Sequence, residues 1–229
     1  MLRVASYNIR KGLGTDRRRD PARTLTTLAA LAPDVAVLQE ADFRLGLRPT
    51  ALPRPMIAEL TGLRPVPLEG HPDSLGWHGI ALLTGADVEV EETRVTDLPG
   101  LEPRGAVIAD LATPQGPLRL VGVHLGLLRR SRRAQQDHLR AALAGRDPRP
   151  TLIIGDYNEW SVTRGLGRFA RDFEIVTPGR TFPSRRPFLS LDRIAHSPDL
   201  TVKVLPLPVL PCGGRSSDHL PVLCGVSAS

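Results

Sequence analysis

Short apolar runs that each stop at a polar residue recur along this chain. The first, Leu2-Arg3-Val4-Ala5-Ser6-Tyr7-Asn8-Ile9, breaks at Gly12 and Gly14, which predicts a strand and a loop with Asn8 at the strand's end. Pro21 then opens a helix to about Ala32, because Leu25, Leu28, Ala29 and Ala32 recur at helical spacing and Pro33-Asp34 stops it. Val35-Ala36-Val37-Leu38 is a second, continuous apolar strand ending in Gln39-Glu40. Strand, helix and strand with a crossover this long pair in parallel, so Asn8 and Glu40 are expected at one sheet edge.

The middle of the chain changes period. After a short helix over 54–61, strand-like segments at 64–69, 79–84, 87–95, 104–112 and 117–124 are separated by turns such as Gly85-Ala86, Gly100 and Pro114-Gln115-Gly116-Pro117. Connections this short predict antiparallel neighbours. Ser131 to Ala144 reads as a basic amphipathic helix with Leu139 and Leu143 four apart, and Thr151-Leu152-Ile153-Ile154 as a buried strand stopping at Gly155-Asp156-Tyr157-Asn158. A helix over 161–171 with a cap near Ser161, then strands around 192–196, 200–205 and 220–226, complete the pattern. Parallel and antiparallel strands with helices outside predict a layered α/β sandwich, and 229 residues without a composition shift predict one domain over 1–229.

Charge and composition narrow the partners. Thirty Lys and Arg against 24 Asp and Glu give +6, which favours anionic partners without separating nucleic acid, phospholipid or a phosphorylated metabolite. Aromatics are only 4% of the residues, so neither a stacking platform for bases nor a membrane-inserting apolar hairpin is expected. Cys212 and Cys224 are too few for a disulfide scaffold and leave open one bridge or two thiols. Without a leader pattern or an 18-residue apolar run, the expectation is a soluble, cytoplasmic protein with no transmembrane segment.

The polar residues at strand ends carry the candidate chemistry. Were the chain extended through Gly155-Asp156-Tyr157-Asn158, Asp156 and Asn158 would point the same way: one to orient and deprotonate water, the other to hold a phosphate oxygen. An Asx-type turn closing the strand is the competing reading. Glu40 follows four apolar residues, where a carboxylate needs a counter-charge; a hard cation such as Mg²⁺, with Mn²⁺ as substitute, would supply it, Asn8 adding a neutral oxygen. A salt bridge would serve Glu40 equally. Asp218 and His219 are adjacent and point oppositely in a strand, so His219 is expected to reach another acid, Asp192 being the best candidate, while Asp218 is free for the metal or its water. His124 could donate to a phosphoryl oxygen, and Arg104 is a weaker phosphate-clamp candidate.

Six ordered blocks are familiar together: Ser6-Tyr7-Asn8-Ile9-Arg10, Leu38-Gln39-Glu40, Val123-His124-Leu125, Ile154-Gly155-Asp156-Tyr157-Asn158, Leu191-Asp192-Arg193-Ile194 and Ser217-Asp218-His219-Leu220-Pro221-Val222. In this order they resemble the endonuclease/exonuclease/phosphatase superfamily. The resemblance implies a four-layer sandwich of two mixed sheets between helical layers. It implies Asn8 and Glu40 as metal-site positions, Asp156 and Asn158 as the pair that orients the nucleophile, and Asp192 as the support of His219. Asp218 and His219 match the terminal acid–histidine motif and His124 the histidine of the deoxyribonuclease I-like and phosphatase members. The expected reaction is Mg²⁺-dependent hydrolysis of a phosphodiester, nuclease-like, by in-line attack of water. Phosphomonoester hydrolysis, sphingomyelinase-like lipid cleavage and a catalytically silent binding protein are the alternatives. Two departures stand out: Ile80 occupies the position where the family has asparagine, with His78 nearby, and no second carboxylate is identifiable as a partner for His124.

Overall fold

The computed structural model describes residues 1–161 and 164–229. Two six-stranded sheets are stacked face to face. The first runs in the order β11 (Leu200–Val204), β12 (Val222–Ala228), β1 (Leu2–Asn8), β2 (Val35–Gln39), β4 (Ala81–Thr84) and β3 (Arg64–Pro65). The second runs β5 (Glu89–Leu98), β6 (Arg104–Thr113), β7 (Gly116–His124), β8 (Thr151–Asp156), β10 (Asp192–His196) and β9 (Glu174–Val176). One pair in each sheet is parallel, β1 with β2 and β7 with β8; every other neighbour is antiparallel. Each parallel pair is joined through a helix, α1 (Pro21–Ala30) in the first sheet and α3 (Arg129–Ala144) in the second.

Alternation along the strands builds the layers. Val4, Val37 and Leu82 of one sheet meet Ala109, Leu120 and Ile154 of the other in the central core. The opposite face of the first sheet packs Tyr7 and Leu38 under α1 and α2 (Arg54–Thr61), through Leu25, Leu28 and Ile57. The opposite face of the second packs Val121, Val123 and Ile153 under Leu139 of α3 and Phe169. This is a four-layer α/β sandwich; each fully buried aliphatic side chain stabilises it by roughly 1.5–3 kcal/mol.

Several boundaries differ from the periodicity. The helix expected over 161–171 is absent from the described residues: the chain turns and only a 3₁₀ turn, Phe169–Arg171, forms. Gly165 adopts a left-handed φ of 93°, where an added Cβ would strike the Glu159 carboxyl, and this turn ends any helix. Residues 162 and 163 of that expectation lie outside the described residues. The strand expected over 64–69 forms only at Arg64–Pro65, with the Val66 N–H still donating to the Leu82 carbonyl at 2.9 Å before Pro67, which cannot donate, ends the ladder. Cys212 is exposed, Cys224 is buried, and both are free thiols. No described helix is long and apolar enough to cross a membrane.

Candidate active site

The topology sends one end of both sheets to the same edge of the sandwich. The C-terminal ends of β1, β2, β7 and β8 lie there, with the N-terminal ends of the antiparallel strands β6, β10 and β12. Register then sets neighbours: Asp156 stands opposite His124 on one side and Asp192 on the other. Gly155 permits this spacing, since a Cβ there would lie 2.0 Å from the Val123 carbonyl oxygen. The two sheets meet where the Asn8 side-chain amide donates to Asp156 Oδ2 at 3.0 Å.

Asp156 is the hub of the site. Its Oδ1 accepts the Asn158 backbone N–H at 2.9 Å, and Oδ2 lies 3.4 Å from His124 Nε2 and 3.6 Å from His219 Nε2. The Asx turn is therefore formed, and extended i, i+2 alignment is not. Asn158 turns to a φ of 50° and its amide donates to the Leu125 carbonyl at 2.9 Å. Turn and hub coexist because the two carboxylate oxygens divide the work. Burial raises the Asp156 pKa, partly opposed by the His219 charge.

The two histidines differ. His219 Nδ1 is 3.0 Å from Asp192 Oδ2, the contact expected from side-chain alternation, and Thr181 donates to the same oxygen. Burial disfavours the His219 cation, but the carboxylates of Asp192, Asp156 and Asp218 outweigh it and raise its pKa to about 9. His124 is buried, and its Nδ1 accepts from Arg104 Nη1 at 3.0 Å, because a guanidinium can only donate. Burial first, then the Arg104 and His219 charges, lower its pKa well below the usual value. His124 is thus a neutral imidazole with its proton on Nε2, facing Asp156. Arg104 occupies the place where a second carboxylate was sought.

Glu40 and Asp218 sit among cations. Lys11 and Arg44 pair with Glu40, and Arg10 Nε is 3.3 Å from Asp218 Oδ2. Burial alone would raise the Glu40 pKa, but Lys11, Arg44 and Arg104 bring it below the ordinary carboxylate value. The donors offered by Asn8, Glu40 and Asp218 are all oxygens, which suits a hard divalent cation. Among the described residues no three His, Cys, Asp or Glu side chains gather as a cage.

Beside these groups opens a cleft of about 250 Å³ bounded by Lys11, Glu40, Arg44, Arg48, His78 and Arg104. Arg104 Nε points into buried space without a partner among the described residues. Ile80 faces the inter-sheet core, against Gly122, while His78 is held between Arg48 at 3.0 Å and Asp97 at 2.8 Å on the cleft wall. Sequence reasoning missed Lys11, Arg44, Arg48 and Thr181. They sit in loops whose approach depends on tertiary packing, and arginine is too common here for any one to stand out.

A buried acid shared by an amide and two imidazoles thus stands at the edge of a four-layer sandwich, beside a cationic cleft. A model of the Endonuclease/Exonuclease/phosphatase family matches residues 5–219, and the chain belongs to that family. It is 35% identical over 129 residues, 52% of this chain and 51% of the other, to the uncharacterized protein YbhP of Escherichia coli K12; the chain thus spans about half the length of the curated relatives it matches. A functionally unknown conserved protein of Enterococcus faecalis V583 superposes over the full length of both chains with a TM-score of 0.75 at 19% identity. The human Nocturnin catalytic domain with bound sulfate superposes over 100% of this chain and 94% of that one, with a TM-score of 0.72 at 22% identity. At these identities the likeness is one of fold.

Proposed function

We propose that this protein hydrolyses phosphodiesters by direct attack of water on phosphorus, assisted by a divalent cation, Mg²⁺ or Mn²⁺, held by Glu40 and Asn8 with Asp218 nearby. The observation that carries the reading is the Asp156 carboxylate, buried and shared by Asn8, His124 and His219. When bound, the cation supplies positive charge against the phosphoryl and leaving oxygens.

The chain's own groups divide the remaining work. Asp156, made more basic by burial, orients the water and takes its proton as the new P–O bond forms and the bond to the leaving oxygen breaks. His219, kept cationic by Asp192, donates to a non-bridging oxygen as charge develops there. Asn158 and the neutral His124 add hydrogen bonds, and the Arg104 guanidinium on the cleft wall adds positive charge towards an anion entering it. A tetrahedral anion, sulfate, is bound in the Nocturnin domain of the same fold.

The test is hydrolysis of plain and abasic DNA, RNA, phospholipids and sugar or inositol phosphates, with Mg²⁺ or Mn²⁺ and an EDTA control, by the wild type and Asp156→Ala. Metal-dependent cleavage of diesters that vanishes in the variant is expected. Turnover that survives Asp156→Ala, or is confined to monoesters, overturns the proposal.

A further inference from the structure

Nine of the eleven large apolar side chains exposed on the described surface stand on connections at the catalytic edge; only Met1 and Leu60 lie elsewhere. Leu45 (86% exposed) and Leu47 follow β2, and Leu101 (82% exposed) sits between β5 and β6 on the rim of the cleft. Leu127 and Leu128 follow β7, and the Leu127 backbone N–H binds Glu102 at 3.0 Å, tying that tip to the Leu101 loop. Across the site, Trp160 follows β8 and Phe188 precedes β10, both more than half exposed. Leaving such groups in water is costly, and their gathering around one opening marks an interaction surface.

The neighbours of these tips are cations. Arg44 precedes Leu45, Arg129-Arg130 follows Leu127-Leu128, and Arg185-Arg186 precedes Phe188, all exposed. At the opposite edge Arg146 and Arg149 are paired with Glu92, Asp110 and Glu91. From this arrangement we infer that the catalytic edge docks on an anionic lipid surface, apolar tips entering the acyl boundary and arginines meeting headgroup phosphates. Nucleic acid fits less well, because base stacking needs π faces and only Trp160 and Phe188 of the nine supply them. A protein partner fits less well too, since the tips are distributed over six separate connections around the cleft instead of forming one groove. The docking surface stands apart from the phosphodiesterase reading; only its consequence, that headgroup diesters are delivered to Asp156, rests on that reading.

The experiment is co-sedimentation with phosphatidylcholine vesicles and with vesicles enriched in phosphatidylglycerol, at low and high salt, following Trp160 emission. Wild type and Asp156→Ala should pellet equally with anionic vesicles, with a blue shift and loss of binding at high salt. Combined Leu45→Ser, Leu47→Ser and Leu127→Ser should weaken partitioning by about ten-fold or more, while Leu60→Ser does not; thermal melts of both establish that they are folded. Failure of the folded wild type to bind any vesicle overturns the inference, as does binding undiminished by the triple substitution. Binding of single-stranded nucleic acid in place of vesicles overturns it equally and assigns the edge to that polymer. Vesicle binding without turnover would instead leave docking in place and count against the catalytic proposal.

Discussion

His124 and His219 flank the same carboxylate yet carry different protonation, and their second nitrogens explain it. A carboxylate behind His219 favours its cation; a guanidinium behind His124 forbids one. Asp192→Asn keeps the shape and removes the charge, so the His219 pKa falls. The alkaline limb of the rate profile, expected near pH 9 in the wild type, should move towards neutrality. Turnover at neutral pH should drop about 100-fold, and a pH–rate series on the two proteins checks both. At this scale the residues the structure gathers at one edge could be picked out: Asn8, Glu40, His124 and Asp156 each close an apolar run, while Asp192, Asp218 and His219 stand just before one. The division of labour between the two Asp156 oxygens could not, because the choice between an extended chain and an Asx turn depends on the left-handed turn at Asn158 and on Leu125 across the site.

Between neighbouring strands, close approach and charge pairing hold the elements that aim these residues. Gly155→Ala would drive a methyl into the Val123 carbonyl and part β7 from β8, whereas Gly167 has open space around it. The first variant should lose more than about 2 kcal/mol and most activity, and Gly167→Ala neither; urea unfolding and turnover measure the difference. Asp110 and Arg119 face each other directly on β6 and β7, in a bidentate pair of 2.7 and 2.9 Å that Arg146 joins at 3.0 Å. Burial opposes the Asp110 charge, but Arg119 and Arg146 outweigh it and depress its pKa. A depressed carboxyl contributes stability above its unfolded pKa of about 4 and loses it as pH falls through the lower folded value. Asp110→Asn should therefore cost about 3 kcal/mol at neutral pH, with the gap to wild type narrowing below about pH 4; urea midpoints across that range test the sign. The alternation of apolar positions predicted most of these strands, while Gly165 and Pro67 overrode it locally.

Across the whole molecule, cations compensate the acids that would meet a metal: Lys11 and Arg44 at Glu40, Arg10 at Asp218. The fold should not need the metal, then. EDTA is expected to abolish turnover while leaving the melting temperature within about 1 °C of the untreated protein, a change of about half a kcal/mol for a chain of this size; a melt and an assay on the same sample decide it. The sequence by itself determined most of the strands, that the first two run parallel, and which polar groups stand at their ends, because hydrophobic period and crossover length are local properties; that β7 and β8 also pair in parallel came only from the structure. Its scarcity of aromatics spoke against a membrane-inserting hairpin, and no single segment contradicts that. Only the tertiary structure decided that aliphatic tips from six connections share the catalytic edge, that Arg104 backs His124, and that Ile80 is a core residue and not a site residue. These depend on distances between segments far apart in the chain, and strand register, which no single segment encodes, sets those distances.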